Sequence, residues 1–135
     1  MKDMDKAGQI PPAKAVTPKE LAAYRAAAQR RWEQEQHERA RRQKRAWEVA
    51  RQAAQLLKKE FGATRVAVFG SLARTDSFTR WSDVDLAAWG LHPEDTFRAM
   101  GAVMDLDKKI KVNLVDIEVC RPSVRAAIER EGIEL

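Results

Sequence analysis

The apolar residues divide this chain into a long helical region followed by short alternating strands and helices. Two sets of apolar residues recur at helical spacing between residues 18 and 61. The first set comprises Leu21, Tyr24, Ala28 and Trp32, and the second comprises Trp47, Ala50, Ala54, Leu57 and Phe61. Between them, residues 33–45 contain only Ala40 as an apolar residue. The pattern therefore predicts two amphipathic helical segments joined by a solvated, Arg-rich one.

The ends of this helical region carry recognisable signals. Thr17 is suited to the N-cap, Pro18 to the first helical position, and Glu20 completes a capping box. The next Gly or Pro is Gly62, which predicts the stop. A continuous helix over residues 18–61 would be about 65 Å long. Since that exceeds the width of a small domain, we expect the helix either to break or to leave the domain in part.

After Gly62 the pattern predicts a small α/β (α+β) domain. Predicted strands cover residues 65–69, 83–89 and 110–117, and predicted helices cover 93–104 and 122–131. A mixed sheet of about three or four strands flanked by helices would accommodate them. We therefore expect a flexible tail over residues 1–17, a helical, Arg-rich extension over 18–45, and the globular domain over 46–135.

Charge and composition narrow the functional classes. The chain of 135 residues has a formal net charge of +5, with one Cys and two His, so a disulfide framework or a dedicated zinc site is not expected. Residues 25–51 alone sum to +5, whereas residues 52–135 sum to −1. A nucleic-acid role would therefore concern the Arg-rich helix, for which we favour a solvated face over RNA contact. No apolar run is long enough for a membrane span, and we expect a cytoplasmic protein without a membrane partner.

Residues 66–74 suggest a phosphate-binding turn. Gly70 and Ser71 end a hydrophobic strand and open a helical turn. Glycine permits close approach of a phosphate, the Ser71 hydroxyl can donate to it, and Arg74 can neutralise it. Because strand-end Gly-Ser turns are common, this pair alone also fits a purely structural role.

Asp83 and Asp85 strengthen the functional interpretation. Residues i and i+2 of a strand point to the same face, so both carboxylates project side by side while Val84 and Leu86 enter the core. A divalent cation would relieve their repulsion, and oxygen ligands suit Mg²⁺ or Mn²⁺. The alternatives are a solvated strand end or a couple paired with arginine. Trp81, two residues earlier, fits either ordinary packing or a cover over the metal or a base.

Gly70-Ser71 followed after eleven residues by Asp-x-Asp resembles the nucleotidyltransferase superfamily that includes DNA polymerase beta, in particular its minimal nucleotidyltransferase (MNT) branch. The resemblance covers about residues 46–135, including a later Val-Asn-Leu-Val-Asp strand and the closing Ile-Glu-Arg-Glu-Gly-Ile-Glu-Leu. It implies the nucleotidyltransferase fold and transfer of AMP from ATP to an acceptor hydroxyl. It also implies that Gly70, Ser71 and Arg74 hold phosphates and that Asp83 and Asp85 bind Mg²⁺ or Mn²⁺.

One position departs from this family pattern. Relatives place a third carboxylate on the following strand, where this chain has Asn113, an amide that carries no charge and takes no proton at neutral pH. Asp116 is three residues on and is expected on the opposite face of a regular strand. Three interpretations remain: a natural enzyme of low activity, a nucleotide-binding relative without turnover, or a deliberately made Asp→Asn variant of an active protein.

The small size of the domain suggests a class of partner. Small MNT proteins resemble the antitoxin of HEPN/MNT toxin–antitoxin pairs, which implies a helical HEPN ribonuclease as partner, inactivated by adenylylation of a tyrosine. Asn113 favours the alternative that the partner is neutralised by binding alone. The helical stripe with Tyr24 and Trp32 is a candidate partner surface.

Overall fold

The computed structural model describes residues 15–135, and its first element is a single long helix. Helix α1 runs without interruption over Pro18–Glu60. Thr17 caps it, since its Oγ1 accepts a hydrogen bond of 3.1 Å from the Glu20 backbone N–H. Gly62, with φ +71°, follows its last turn, as the sequence predicts. Of the predicted flexible tail over residues 1–17, residues 1–14 lie outside the described part of the chain.

The remaining elements follow the predicted alternation. They are β1 (Arg65–Phe69), a 3₁₀ turn (Gly70–Leu72), β2 (Val84–Trp89), a second 3₁₀ turn (Pro93–Asp95), α2 (Thr96–Met104), β3 (Val112–Asp116), α3 (Pro122–Glu131) and β4 (Ile133–Glu134). The prediction of a mixed α/β fold with a small sheet is confirmed. Strand β4 was not predicted, because two residues are too few to show a strand period.

The four strands form one mixed sheet in the order β3-β2-β1-β4. Strand β1 is antiparallel to both β2 and β4, and β2 is parallel to β3. The register pairs Asp85 with Phe69 on one side and with Asn113 on the other. The end of β1 and the beginnings of β2 and β3 therefore lie at the same edge of the sheet.

Helices cover both faces of the sheet. The larger core contains Leu57 of α1, Val103 of α2 and alternate strand residues such as Val68 and Leu86. The smaller core contains Ala87 of β2 packed with Ile128 of α3. Because side chains alternate along a strand, Asp85 shares the face of Ala87, whereas Val84 and Leu86 are fully buried on the other.

The chain divides into two compact units at His37 and Glu38, within α1. In the first unit, the helical residues 18–37 are almost all exposed. Three large hydrophobic side chains, Leu21, Tyr24 and Trp32, are 44%, 69% and 56% exposed. This stripe is consistent with the partner surface suggested by the sequence. No helix in residues 15–135 combines the length and the apolar character that a membrane span requires.

The prediction of a solvated, Arg-rich segment holds for most of residues 33–45, which are exposed, but it is wrong at Arg39 and Arg42. Arg39 donates from Nε to the Phe78 carbonyl at 2.7 Å. Arg42 donates from Nη1 to the Lys109 carbonyl and from Nη2 to the Ser82 carbonyl, both at 3.0 Å. The guanidinium groups thus donate hydrogen bonds to backbone carbonyls of two loops. Hydrogen bonds from a charged donor are stronger than bonds between neutral groups. Arg41 and Lys44, between these residues, are exposed.

Candidate functional site

The candidate site lies where the end of β1 meets the beginnings of β2 and β3. Gly70 follows β1, Asp83 immediately precedes β2, and Asp85 and Asn113 are paired across β2 and β3. The strand alternation that buries Val84 and Leu86 leaves Asp83 and Asp85 half-buried beside each other. Four residues singled out in the sequence therefore lie at one edge of the sheet, and Ser71 follows Gly70 there.

Asn113 links the two carboxylates directly. Its Nδ2 donates to Asp85 Oδ1 at 3.2 Å and to Asp83 Oδ2 at 3.4 Å. One amide group thereby moderates the repulsion between two carboxylates that share a face. Asn113 occupies the position between the carboxylates at which a third carboxylate would complete an acidic cluster. Accordingly, residues 15–135 contain no group of three or more His, Cys, Asp or Glu side chains able to hold a metal ion.

The charge state of Asp85 reflects this environment. Burial raises the pKa of the Asp85 carboxyl above its ordinary value, and the charge of Asp83 raises it further. The hydrogen bond from Asn113 and the charge of Arg74 act in the opposite direction on this pKa. Arg74 is thus close enough to influence the site although its side chain is exposed. A cation bound beside Asp85 would offset the cost of burying the negative charge of Asp85.

A side chain at Gly70 would be strained and would displace the Asp85 carboxylate. Its φ is +72°, in the region that favours glycine. A Cβ built on Gly70 would lie 2.5 Å from Asp85 Oδ2, far inside van der Waals contact. The Gly70-Ser71 turn therefore lies directly beside the Asp85 carboxylate.

A carboxylate from α3 also reaches this turn. Glu131 Oε1 accepts a hydrogen bond of 3.3 Å from the Gly70 backbone N–H. The N–H that the sequence assigns to a phosphate is thus oriented toward an anionic oxygen. The sequence analysis missed Glu131 as a site residue. Its position directly before Gly132, at the end of α3, offered no signal without knowledge that β4 pairs with β1.

Arg42 is a second residue that the sequence analysis missed at this site. It bonds the carbonyl of Ser82, the residue before Asp83, and the carbonyl of Lys109 in the loop that leads into β3. The loops that position Asp83 and Asn113 are therefore tied to one guanidinium. A signal existed, because Arg39, Arg42 and Arg45 recur every three residues and continue the buried stripe of α1.

Two further predictions on individual residues are decided by the structure. Asp116 faces away from Asn113, as expected: it is buried, and its Oδ2 accepts from Thr96 Oγ1 at 3.1 Å. The interpretation that Trp81 packs as an ordinary core residue is wrong, since this side chain is 79% exposed. The Arg80 guanidinium lies over its ring, 4.9 Å from the centroid. Trp81 lies on an exposed turn, two residues before Asp83, rather than in the core.

The donor set at this site fits a magnesium or manganese ion. Asp83 and Asp85 supply two carboxylates side by side, and protein-bound Mg²⁺ commonly uses one or two carboxylates together with substrate phosphates. Burial raises the pKa of the Asp85 carboxyl, and a bound cation would offset this cost of carrying a negative charge. Hard oxygen donors without His or Cys favour these ions over zinc.

Comparisons with known proteins identify the family and the fold of this chain. A family model for the nucleotidyltransferase domain matches residues 50–134. Two mutant crystal structures of the toxin–antitoxin MntA–HpeT each have a TM-score of 0.52. One is 16% identical, covering 63% of this chain and 70% of that chain, and the other is 19% identical, covering 63% and 69%.

A third structure and one negative result complete the comparison. A protein described as a minimal nucleotidyltransferase has a TM-score of 0.51 and 28% identity, covering 69% of this chain and 95% of that chain. No curated protein matches the sequence significantly. The structural likenesses establish a shared fold.

Proposed function

This chain belongs to the nucleotidyltransferase domain family, whose model matches residues 50–134, and from that premise we propose that it transfers AMP from ATP to a tyrosine hydroxyl of a partner protein. The observation that carries the proposal is the convergence of Asp83, Asp85 and the Gly70-Ser71 turn at one edge of the sheet. A carboxylate pair beside a backbone turn that requires glycine is the arrangement that a metal-bound triphosphate needs.

In this proposal, Asp83 and Asp85 hold Mg²⁺ or Mn²⁺. The ion would neutralise charge that develops on the phosphates during transfer. Because the Asp85 carboxylate lies beside Gly70, an ion bound to this carboxylate would be adjacent to phosphates bound at the turn. Gly70 and Ser71 bind the phosphates through backbone N–H groups and the Ser71 hydroxyl, and Arg74 adds a positive charge at the exposed side.

The phosphates must compete with Glu131 for the Gly70 N–H. That N–H donates to Glu131 Oε1 at 3.3 Å. An incoming phosphate oxygen carries more negative charge than one carboxylate oxygen and also contacts Ser71. The Glu131 carboxylate therefore keeps the turn in an anion-accepting conformation and yields its place when the nucleotide binds.

The transfer itself is a displacement at the α-phosphorus. The tyrosine oxygen forms a bond to the α-phosphorus, the bond from that phosphorus to the bridging oxygen breaks, and diphosphate leaves. The hydroxyl proton must go elsewhere, and Asn113 cannot take it at neutral pH. In this chain the proton passes to water. We therefore expect slow turnover, since the residue at the third-carboxylate position cannot act as a general base.

The partner proposed for this chemistry is a small helical HEPN ribonuclease toxin, with this chain as its antitoxin. Support comes from the resemblance of the fold to the toxin–antitoxin MntA–HpeT structures. Further support comes from the exposed Leu21, Tyr24 and Trp32 on the first helical unit. Exposed aromatic residues at helical spacing are suited to a protein groove.

Asn113 favours a second candidate function, neutralisation of the partner by binding alone. The Asn113 amide bonds one oxygen of each carboxylate but cannot take the hydroxyl proton, so nucleotide can bind without efficient turnover. Mass spectrometry of the partner after incubation with this chain, ATP and Mg²⁺ discriminates the two functions. An added AMP on a tyrosine supports transfer. An unmodified but inhibited partner supports binding alone, and an active, unmodified partner contradicts both.

A further inference from the structure

A charged pocket opens beside Asp83, on the side of the sheet edge away from Gly70. It has a volume of about 380 Å³ and is lined by Asp83, by Met104 at the end of α2, by Asp105 and Asp107 in the following loop, and by Lys108, Lys109 and Lys111 before β3. This volume is within the range of ligand-binding pockets. We refer to it as the lysine pocket. Neither the metal pair nor the phosphate turn accounts for its three lysines.

The three ammonium groups of the lysine pocket are free. All three lysines are exposed, and none has a carboxylate within ion-pair distance in residues 15–135. Asp107 does not neutralise them, because its Oδ2 accepts from Arg45 Nε at 2.9 Å and its Oδ1 from the Lys109 backbone N–H at 2.8 Å. The backbone N–H of Lys109 is the main cause that lowers the pKa of Asp107.

The loop that carries these lysines is held in place from α1. Arg45 bonds the Asp107 carboxylate, and Arg42 bonds the Lys109 carbonyl at 3.0 Å. The same Arg42 bonds the Ser82 carbonyl next to Asp83. The lysine pocket and the metal-binding carboxylates are thus fixed relative to each other. A group bound to the lysines would have a defined position with respect to Asp83.

The order of strands decides what enters this pocket. In the order β3-β2-β1, Asp83 and β2 lie between the phosphate turn after β1 and the lysine pocket before β3. In phosphoryl transfer, the attacking and leaving oxygens are roughly in line on opposite sides of the phosphorus. If diphosphate leaves over Gly70 and Ser71, the acceptor hydroxyl approaches from the side of β3. The lysine pocket is therefore on the acceptor's path.

We propose that the lysine pocket binds the acceptor tyrosine together with acidic residues that flank it in the partner protein. This inference rests on the proposed transfer function and specifies the acceptor class. Three free ammonium groups attract carboxylates. Asp83, Asp105 and Asp107 at the same pocket disfavour a continuous chain of phosphates. A protein segment that places single carboxylates at the lysines therefore fits better than a nucleic acid. The Met104 side chain supplies an apolar contact for the aromatic ring.

The test measures peptide binding to the full chain by fluorescence anisotropy at low ionic strength. The probe is a short labelled tyrosine peptide with glutamates on both sides of the tyrosine, and its control has glutamines instead. We expect the glutamate peptide to bind more tightly. Lys108→Gln/Lys111→Gln should weaken its binding about five- to thirtyfold. Lys44→Gln/Lys59→Gln removes the same charge from exposed positions outside the pocket and should change the affinity less than about twofold.

Separate outcomes overturn the inference and the proposed function. Equal affinity for the two peptides, or equal weakening by the Lys44→Gln/Lys59→Gln control, overturns the acidic-acceptor inference. Tighter competition by a short RNA than by the glutamate peptide overturns it in favour of a nucleic-acid acceptor. A loss of Mg·ATP affinity in Lys108→Gln/Lys111→Gln assigns the lysines to the nucleotide instead. Absence of Mg·ATP binding to the unmodified chain refutes the proposed function, while the peptide measurement still reports on the pocket.

Discussion

Replacing Gly70 by alanine tests the contact between the glycine turn and the candidate metal ligands. Gly70 has φ +72°, and the added Cβ would lie 2.5 Å from Asp85 Oδ2. Gly62 offers a matched control, because its φ is +71° and nothing lies within 4 Å of an added Cβ. Gly62→Ala therefore reports the backbone strain alone. Gly70→Ala reports the same strain together with displacement of the Asp85 carboxylate.

The expected magnitudes follow from these contacts. A left-handed backbone conformation costs a residue with a Cβ roughly 1–2 kcal/mol, which is the value we expect for Gly62→Ala. To make room at Gly70, the Asp85 carboxylate must move and lose its hydrogen bond of 3.2 Å from Asn113. Loss of a hydrogen bond to a charged group costs about 1.5–3 kcal/mol more. Gly70→Ala should thus destabilise the protein by about 2.5–5 kcal/mol.

Urea denaturation of both variants measures the difference in the free energy of unfolding, and calorimetry measures binding of Mn²⁺. Gly70→Ala should also lose Mn²⁺ binding, whereas Gly62→Ala should keep it. In an Asp85→Ala background the extra cost at Gly70 should disappear, since only the ordinary contact with the Asp85 Cβ at 3.5 Å remains. Equal destabilisation by the two alanine variants, with Mn²⁺ binding intact in both, would refute this account of the turn.

Three further substitutions test the electrostatics and the supports of the site. Burial raises the pKa of Asp85, so its contribution to stability is present at acid pH and is lost as the pH rises through that pKa. Asp85→Asn should therefore raise the free energy of unfolding of the metal-free protein at neutral pH by roughly 0.5–2 kcal/mol, seen as a higher Tm, with no gain at acid pH. A lower Tm at neutral pH would contradict this. Asn113→Asp should lower the metal-free Tm but tighten Mn²⁺ binding about tenfold in calorimetry, for roughly 1.4 kcal/mol of added attraction; unchanged affinity would sink the third-carboxylate assignment. Arg42→Lys should cost about 1.5–3 kcal/mol in urea denaturation, because lysine cannot bridge both loops, whereas the exposed neighbour variant Arg41→Lys should cost less than about 0.5 kcal/mol; equal costs would show that the bridge is unimportant.

The helices and strands could be predicted because their signals are local. Thr17 and Gly62 mark the ends of α1, and the strand period places Asp83 and Asp85 on one face while Val84 is buried. Strand β4 escaped prediction since Ile133–Glu134 depends on pairing with β1, far away in the sequence. A segment of two residues carries no period of its own.

The part of the site that escaped prediction depends on contacts between distant parts of the chain. Arg39 and Arg42 bond backbone carbonyls, which every residue has, so the identity of their partners left no trace in the sequence. Glu131 reaches Gly70 only because α3 packs against the sheet. The pairing of Asp85 with Asn113 likewise required the parallel register of β2 and β3. The pattern of charges alone predicted that these two arginines face solvent, whereas in the fold they donate to backbone carbonyls.

Titration calorimetry with Mg·ATP tests the central claim most directly, namely that Asp83 and Asp85 form a metal-dependent nucleotide site. The account predicts binding of one Mg·ATP to the unmodified chain, loss of binding in EDTA, and loss in Asp83→Asn/Asp85→Asn. Glu129→Gln, an exposed charge change on α3, should leave the affinity unaltered. Binding of equal strength in Asp83→Asn/Asp85→Asn, or no binding to the unmodified chain, would contradict the account.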